Sequence, residues 1–410
     1  MSNQITDADG EKEHRSGALE GLRVLDVSRF IAGPYCAMLL GDMGADVIKV
    51  EPPERGENSR SYGPFVDGES LYTMVFNRNK RSLTLDLRSD QGKQLMGDLL
   101  RKADVLVENF VPGTLEKMGF DEATLKTLNP RLIVTRISGF GQSGPLSTKP
   151  CFDVIGQTMS GLMEITGDAD SHPTMAGTYV VDYSTGMYAT IGTLGALQAR
   201  ERSGEGQVVD VALMDSALSM LMTAIPEQVL HGRSMTRHGN RDRYAAPSNT
   251  FPTRDGDWVH LVCAGDVMFS GLANAMGNAG LAEDSRYENN VVRMHNVDEL
   301  EELITAWAIS LGTEELLQAL NANGVPSAKV ASVSDLIEDE HLEHRGQIIR
   351  MQHPKVGTVP MQGFSVKFAD SPMQLRHPPP LLGQHTDEIL DEWLAMSSDQ
   401  IARLRADKII

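Results

Sequence analysis

The chain has 410 residues, 41% of them hydrophobic, with 38 glycines and a formal net charge of −19 at pH 7. That length exceeds what one core usually organises, so two domains, or one domain with an insertion, are expected. No apolar run approaches the ~18 residues of a membrane span, and so acidic a chain argues against nucleic acid or anionic membrane as a partner.

Residues 1–17 are polar and charged, which fits neither a secretory signal nor an anchor, and a disordered leader is expected there. Residues 22–28 (LRVLDVS) read as a strand, Gly33-Pro34 as a turn, 35–43 as a helix and 45–50 (ADVIKV) as a second strand. Such a unit is parallel, and its ligands sit beyond the C-terminal strand ends, so residues 28–34 are a candidate ligand edge. The pattern continues with a strand at 82–87, a helix at 90–102, a strand at 104–110, short helices at 114–118 and 122–128, and a strand at 132–138. The fold class is α/β, with a Rossmann-like doubly wound parallel sheet. Gly139, Gly141 and Gly144 match GxGxxG but run into Pro145 and Pro150 instead of opening a helix, so no nicotinamide or flavin site is expected.

A helix over 183–202, a strand over 207–213 and a helix over 216–230 complete a large domain at 18–230. Residues 231–251 are polar and basic, and a hairpin around Asp255-Gly256 opens a smaller α+β domain. Helical periods recur at 267–276, 297–310 and 313–323, which places a linker and small domain at 231–335. The remainder, 336–410, carries a hairpin from Gly346, the proline-stiffened RHPPPLLGQHT and a final helix, and reads as a segment returning to the large domain.

The chemistry is sparse. There is no GxSxG elbow, P-loop, HExxH or paired CxxC, and the histidines are scattered, so no metal site is expected. Cys36, Cys151 and Cys263 are far apart and lack ligand spacing, which fits a reduced, cytoplasmic protein. Asp182 follows Val180-Val181 and stands where a helix begins. A cap is its ordinary role, and a helix N-terminus would also hold it ionised and aimed. Arg78, Lys80 and Arg81 form either a solvated basic face or an anion site. Arg241, in the basic linker, could meet a substrate carboxylate.

Several segments in order resemble class III (family III) CoA-transferases: GLRVLDVSRFIAGPYCAMLLGDMGADVIKVEPP, NRNKRSLTLDL, DVLVENFVPGTLEKMGF, SGFGQSGP, the run through Asp182 and RHPPPLLGQHT. The likeness is nearest to the branch that includes succinate–hydroxymethylglutarate CoA-transferase. It implies an acyl-CoA donor, plausibly succinyl-CoA, a small (di)carboxylic acid acceptor and no prosthetic group, the CoA thioester being a co-substrate. It implies that Asp182 is the nucleophile, passing through an aspartyl anhydride and an aspartyl-CoA thioester. It implies CoA contacts from Arg78, Arg81, Leu85, Asn109, Phe110, Gly113, Lys117 and Lys149, and substrate contacts from Phe30, Ile31 and Arg241. It also implies an interlocked homodimer. Ile31 stands where the formyl-CoA transferase branch has Gln, and that branch's tetraglycine loop is missing, which speaks against oxalate. The α-methylacyl-CoA racemases of the same fold use a His in a GHD tripeptide. Here the tripeptide is Cys151-Phe152-Asp153, and phenylalanine cannot act as a base. A racemase and a non-catalytic CoA-binding protein remain the alternatives.

Overall fold

The structure, a computed structural model, describes residues 16–410. The leader expected over 1–17 lies, up to residue 15, outside the described residues. The chain forms two units: one comprises the described residues to 160, 177–221 and 343–410, and the other 161–176 and 222–342.

The first unit is built on six parallel strands: β1 (Arg23–Asp26), β2 (Asp46–Glu51), β3 (Lys80–Thr84), β4 (Val105–Glu108), β5 (Ile133–Ser138) and β6 (Val208–Ala212). They lie in the order β3-β2-β1-β4-β5-β6. The order reverses between β1 and β4, which opens a crevice at the carboxyl ends of these strands. Val24, Leu25, Val47, Ile48, Val105 and Leu106 are all buried, as residues on both faces of a covered parallel sheet should be.

Four helices of this unit matter below: α1 (Ala32–Asp42), α2 (Asp90–Leu100), α3 (Asp153–Ser160) and α4 (Val180–Ser203). Leu95, Met96 and Leu99 of α2 join Ile389, Leu390 and Leu404 of the two last helices in one core cluster against the sheet. On the other side α1 and α4 pack against the strands and each other. A Cβ on Gly186 of α4 would stand 2.8 Å from the Ala32 carbonyl oxygen, so the two helices meet at backbone distance. Gly33 and Pro34, expected in a turn, lie in the first turn of α1, where a proline has no intrahelical N–H to lose.

The helix expected over 216–230 is two helices, Leu213–Leu218 and Ala224–His231. Met222, between them, has a φ of 46°, a left-handed conformation that a continuous helix cannot hold.

The second unit has a three-stranded antiparallel sheet in the order Ser327–Lys329, Trp258–Val262, Ser248–Pro252. Helices Asp266–Ala275, Val297–Ala308 and Thr313–Ala322 close a core that includes Phe251, Leu261, Phe269, Leu300 and Leu316. Among the described residues no helix is long and apolar enough to cross a membrane.

Candidate active site

The loop between β1 and α1 is held by charges buried in the sheet. Asp26 accepts from Lys80 Nζ at 2.8 Å, and its pKa is lowered because Lys49 and Lys80 outweigh the effect of burial. Lys49 Nζ donates to the Ser28 carbonyl oxygen, and Lys80 Nζ donates to Pro34 O at 2.8 Å. Between those anchors Asn109 clamps Arg29 in both directions: Oδ1 accepts its N–H at 2.8 Å and Nδ2 donates to its carbonyl at 2.7 Å. The next residue, Phe30, has a φ of 64°. A left-handed phenylalanine costs on the order of 1–3 kcal/mol and persists only where its surroundings over-determine it, as here.

Beyond the carboxyl ends of β1, β2 and β3 lies a cavity of about 1080 Å³. Arg29, Arg55, Arg88, Arg405 and Lys408 line it, as do Leu85 and Phe110 and the carboxylates Glu51, Glu54, Glu57 and Asp86. The Arg29 guanidinium stacks over the Phe110 ring at 5.0 Å. Burial pulls the Arg29 pKa below its usual range, Glu57 opposing this and Arg88 adding to it. Among the described residues no carboxylate stands within ion-pair distance of Arg29 or Arg88, so two neighbouring cations face the cavity unpaired.

Aromatic residues make up only 5% of the chain, yet eight rings meet on the other side of the same loop. Phe30 contacts Tyr62 and Phe152 edge-on, with centroids 6.0 and 5.4 Å away. Tyr62 leads to Tyr72, Tyr72 to Phe76 and Tyr179, and Phe76 to Tyr35 and Tyr183. Tyr62 also lines the cavity, and the Tyr72 phenol feels the charge of Asp182. Cavity, aromatic wall and Asp182 are thus neighbours in one unit.

Asp182 is the third residue of α4 and is partly buried. It is not a cap: the N-cap is Tyr179, which makes no side-chain bond. The expectation that the helix terminus holds Asp182 ionised is corrected by the hydrogen bonds of the first turn. The N–H of Val180 donates to Thr178 O, and that of Tyr183 to Tyr179 O. The N–H groups of Val181 and Asp182 both donate to Asp153 Oδ2, at 2.8 and 3.0 Å. No first-turn donor is left for the Asp182 carboxylate, and its charged neighbour is another carboxylate. Burial first, and Asp153 second, push the Asp182 pKa up to about 7.

The expected site residues divide. Phe30, Leu85, Asn109 and Phe110 gather at the loop and cavity, although Leu85 is only 1% exposed. Gly113, at a φ of 88°, caps the short helix Thr114–Lys117 with open space above it, and Lys117 and Lys149 are exposed. Arg78 and Arg81 do not fit the expected role in phosphate binding, because the fold already uses them. Arg78 is buried, grips Asp42 at 2.7 Å and donates to the Gln362 carbonyl. Arg81 pairs with Asp46, Glu388 and Glu392 at 2.6 to 2.7 Å. Ile31, 1% exposed, faces the core and not a ligand. Arg241, in the second unit, is bound to Asp298 and Glu301 at 2.8 and 2.6 Å, so its charge is spent locally. Arg29 and Arg88, which line the cavity, are not among the expected residues; each stands directly after an expected strand, 22–28 and 82–87, at the carboxyl edge. The GxGxxG loop opens no helix, and a Cβ on Gly139 would lie 2.1 Å from that of Cys151, so the glycine permits close packing.

A sequence model described as CoA-transferase family III matches residues 19–386. The chain belongs to that family. Among its relatives is succinyl-CoA–D-citramalate CoA-transferase of Chloroflexus aurantiacus, 39% identical over 96% of this chain and 98% of the relative. A succinate–glutarate CoA-transferase of Agrobacterium fabrum is 37% identical over 92% and 96% of the two chains. In structure, this family III CoA-transferase is similar to a CAIB/BAIF family protein from Brucella suis, with a TM-score of 0.83, 35% identity and coverage of 92% of this chain and 100% of the other.

Proposed function

We propose that this CoA-transferase moves CoA from a short acyl-CoA, succinyl-CoA foremost, to a small dicarboxylic acid, with Asp182 as covalent nucleophile. The observation that carries the reading is Asp182 itself: a partly buried carboxylate with its pKa raised to about 7, beside an aromatic wall that adjoins the cavity faced by Arg29 and Arg88. A carboxylate raised this far is more basic than a surface aspartate, and the rings limit the water that would hydrolyse an acyl intermediate. Relatives named for succinyl-CoA and for citramalate or glutarate support the substrate class.

In the first step an Asp182 oxygen attacks the thioester carbonyl, the C–S bond breaks, and CoA leaves as the thiolate with the electron pair. That thiolate attacks the aspartyl carbonyl of the mixed anhydride and releases the donor's acid as a carboxylate, leaving an aspartyl-CoA thioester. The acceptor carboxylate then runs the sequence backwards. These steps balance without a prosthetic group. Arg29 and Arg88 take the phosphate role expected of Arg78 and Arg81, Asn109 and Phe110 wall the nucleotide end, and Lys117 and Lys149 lie exposed to meet outer phosphates.

A homodimer fits the apolar surface of the first unit, where Phe152, Met159, Met187 and Ile191 are 43 to 63% exposed. Three unpaired cysteines support a cytoplasmic location. Mass spectrometry after incubation with succinyl-CoA tests the mechanism: the peptide holding Asp182 should gain CoA less one water. Normal transfer by Asp182→Ala would overturn it.

A further inference from the structure

We infer that Asp153 is a positioning residue for Asp182: through Oδ2 it fixes the backbone from which the nucleophile projects, and its charge beside Asp182 drives that carboxylate towards the acylated form. The inference rests on Asp182 being the nucleophile.

Asp153 is buried at 3% exposure and opens α3. Its two oxygens do separate work. Oδ2 accepts both the Val181 and Asp182 N–H groups, whereas Oδ1 accepts from Gln157 Nε2 at 2.5 Å within α3 itself. The cap that α4 lacks at Tyr179 is therefore supplied by a side chain 29 residues upstream of Asp182. A capping contact needs only an acceptor, and serine or asparagine supplies one without a charge. A full carboxylate at this point sets two acids against each other.

Among the described residues, the charged and titratable groups that face Asp182 offer nothing to offset that charge. Asp153 comes from α3, Cys151 from the loop before it, and Tyr72 from the short helix Leu71–Met74. Each is an acid, and none is a cation. Burial, then Asp182 and Asp153, push the Cys151 thiol up to about 11, so it stays neutral and leaves the Asp182 charge unrelieved. Converting the Asp182 carboxylate to an anhydride or thioester removes one of two adjacent negative charges, and this relief favours the covalent intermediates.

The decisive variant is Asp153→Asn, which keeps an acceptor for both N–H groups once the Gln157 amide turns, and removes only the charge. For a plain cap this change is silent. For the inferred role, the acidic limb of kcat/KM moves down by at least one pH unit from about 7, and kcat at pH 8 drops about three- to thirtyfold. KM for succinyl-CoA stays within twofold. A limb within 0.3 unit of wild type overturns the inference. A second measurement needs no turnover: the gain in melting temperature that Asp182→Asn brings between pH 4.5 and pH 8 is read in the wild-type and Asp153→Asn backgrounds. The inference requires that gain to shrink by about a quarter or more without the Asp153 charge, burial keeping the larger share, and an unchanged gain overturns it. A wild-type protein that forms no CoA adduct refutes the transferase mechanism, while this cycle still decides whether the two acids are coupled.

Discussion

Replacing Asp182 with Asn should stabilise the protein, and the gain should depend on pH in a set way. The Asp182 carboxyl is moved from an ordinary 3.8 to about 7 by burial and by Asp153. The folded state therefore keeps a proton that the unfolded chain gives up. Where the native state binds more protons than the unfolded one, stability falls as pH rises. For Asp182 the fall starts near the unfolded pKa, runs through the window between about pH 4 and 7, and is complete just above the folded pKa. Three units at 1.36 kcal/mol each set a ceiling of about 4 kcal/mol, and relaxation around a partly buried site brings the expected value to about 2–4 kcal/mol. Asparagine has the same shape and no charge. Its advantage over wild type should be close to zero at pH 4 and reach the full value by pH 8, or about 4–8 °C in melting temperature for a unit of this size. Calorimetry of both proteins at half-unit pH steps reads the difference directly. A difference that is flat across that window, or a variant less stable than wild type at pH 8, would refute the environment assigned to Asp182.

On the proposed mechanism only ionised Asp182 attacks, so wild-type kcat/KM should fall about tenfold per pH unit below about pH 7, and a profile flat to pH 5 would contradict this. Arg29→Ala and Arg88→Ala should each raise KM for acyl-CoA about tenfold or more with kcat little changed, and the effect should fade in high salt. Arg78→Ala should behave oppositely. It leaves the buried Asp42 carboxylate with only the Asn79 amide and no counter-charge, and costs about 3–5 kcal/mol of stability, seen in denaturant melts, while KM of the folded enzyme is unaffected. Gly186→Ala places a methyl against the Ala32 carbonyl and the Tyr35 ring, and should cost about 1–3 kcal/mol as α1 is forced off α4.

Local pattern carried the sheet. Strands β1, β2 and β4 are apolar runs ending at polar turns, and the 139–144 glycines could be set aside because prolines follow them. What local pattern could not show was the partner of each charge. Arg78 and Arg81 read as an anion site because a sequence displays cations without their counter-ions. Asp42 stands 36 residues before Arg78, and Glu388 and Glu392 stand 307 and 311 residues after Arg81. Ile31 stands two residues before Gly33-Pro34, where a turn is expected, and nothing in that context reveals that it is 1% exposed.

Asp182 shows the same limit at its sharpest, because there the long-range contact reverses the local one. A helix N-terminus favours a carboxylate by about 0.3–1 kcal/mol, or ~2 kcal/mol in a partly buried geometry, and so should lower its pKa. The displacement is instead upward, about 4 kcal/mol at its ceiling, so burial and Asp153 together outweigh the dipole. The dipole acts through unpaired N–H groups, and at Val181 and Asp182 those groups are bonded to Asp153. The contact that removes the stabilising donors is thus the one that brings the destabilising charge. A carboxylate held in this way is poorly solvated as an anion and gains by becoming an ester-like adduct, which is what the proposed route through two covalent intermediates requires of Asp182.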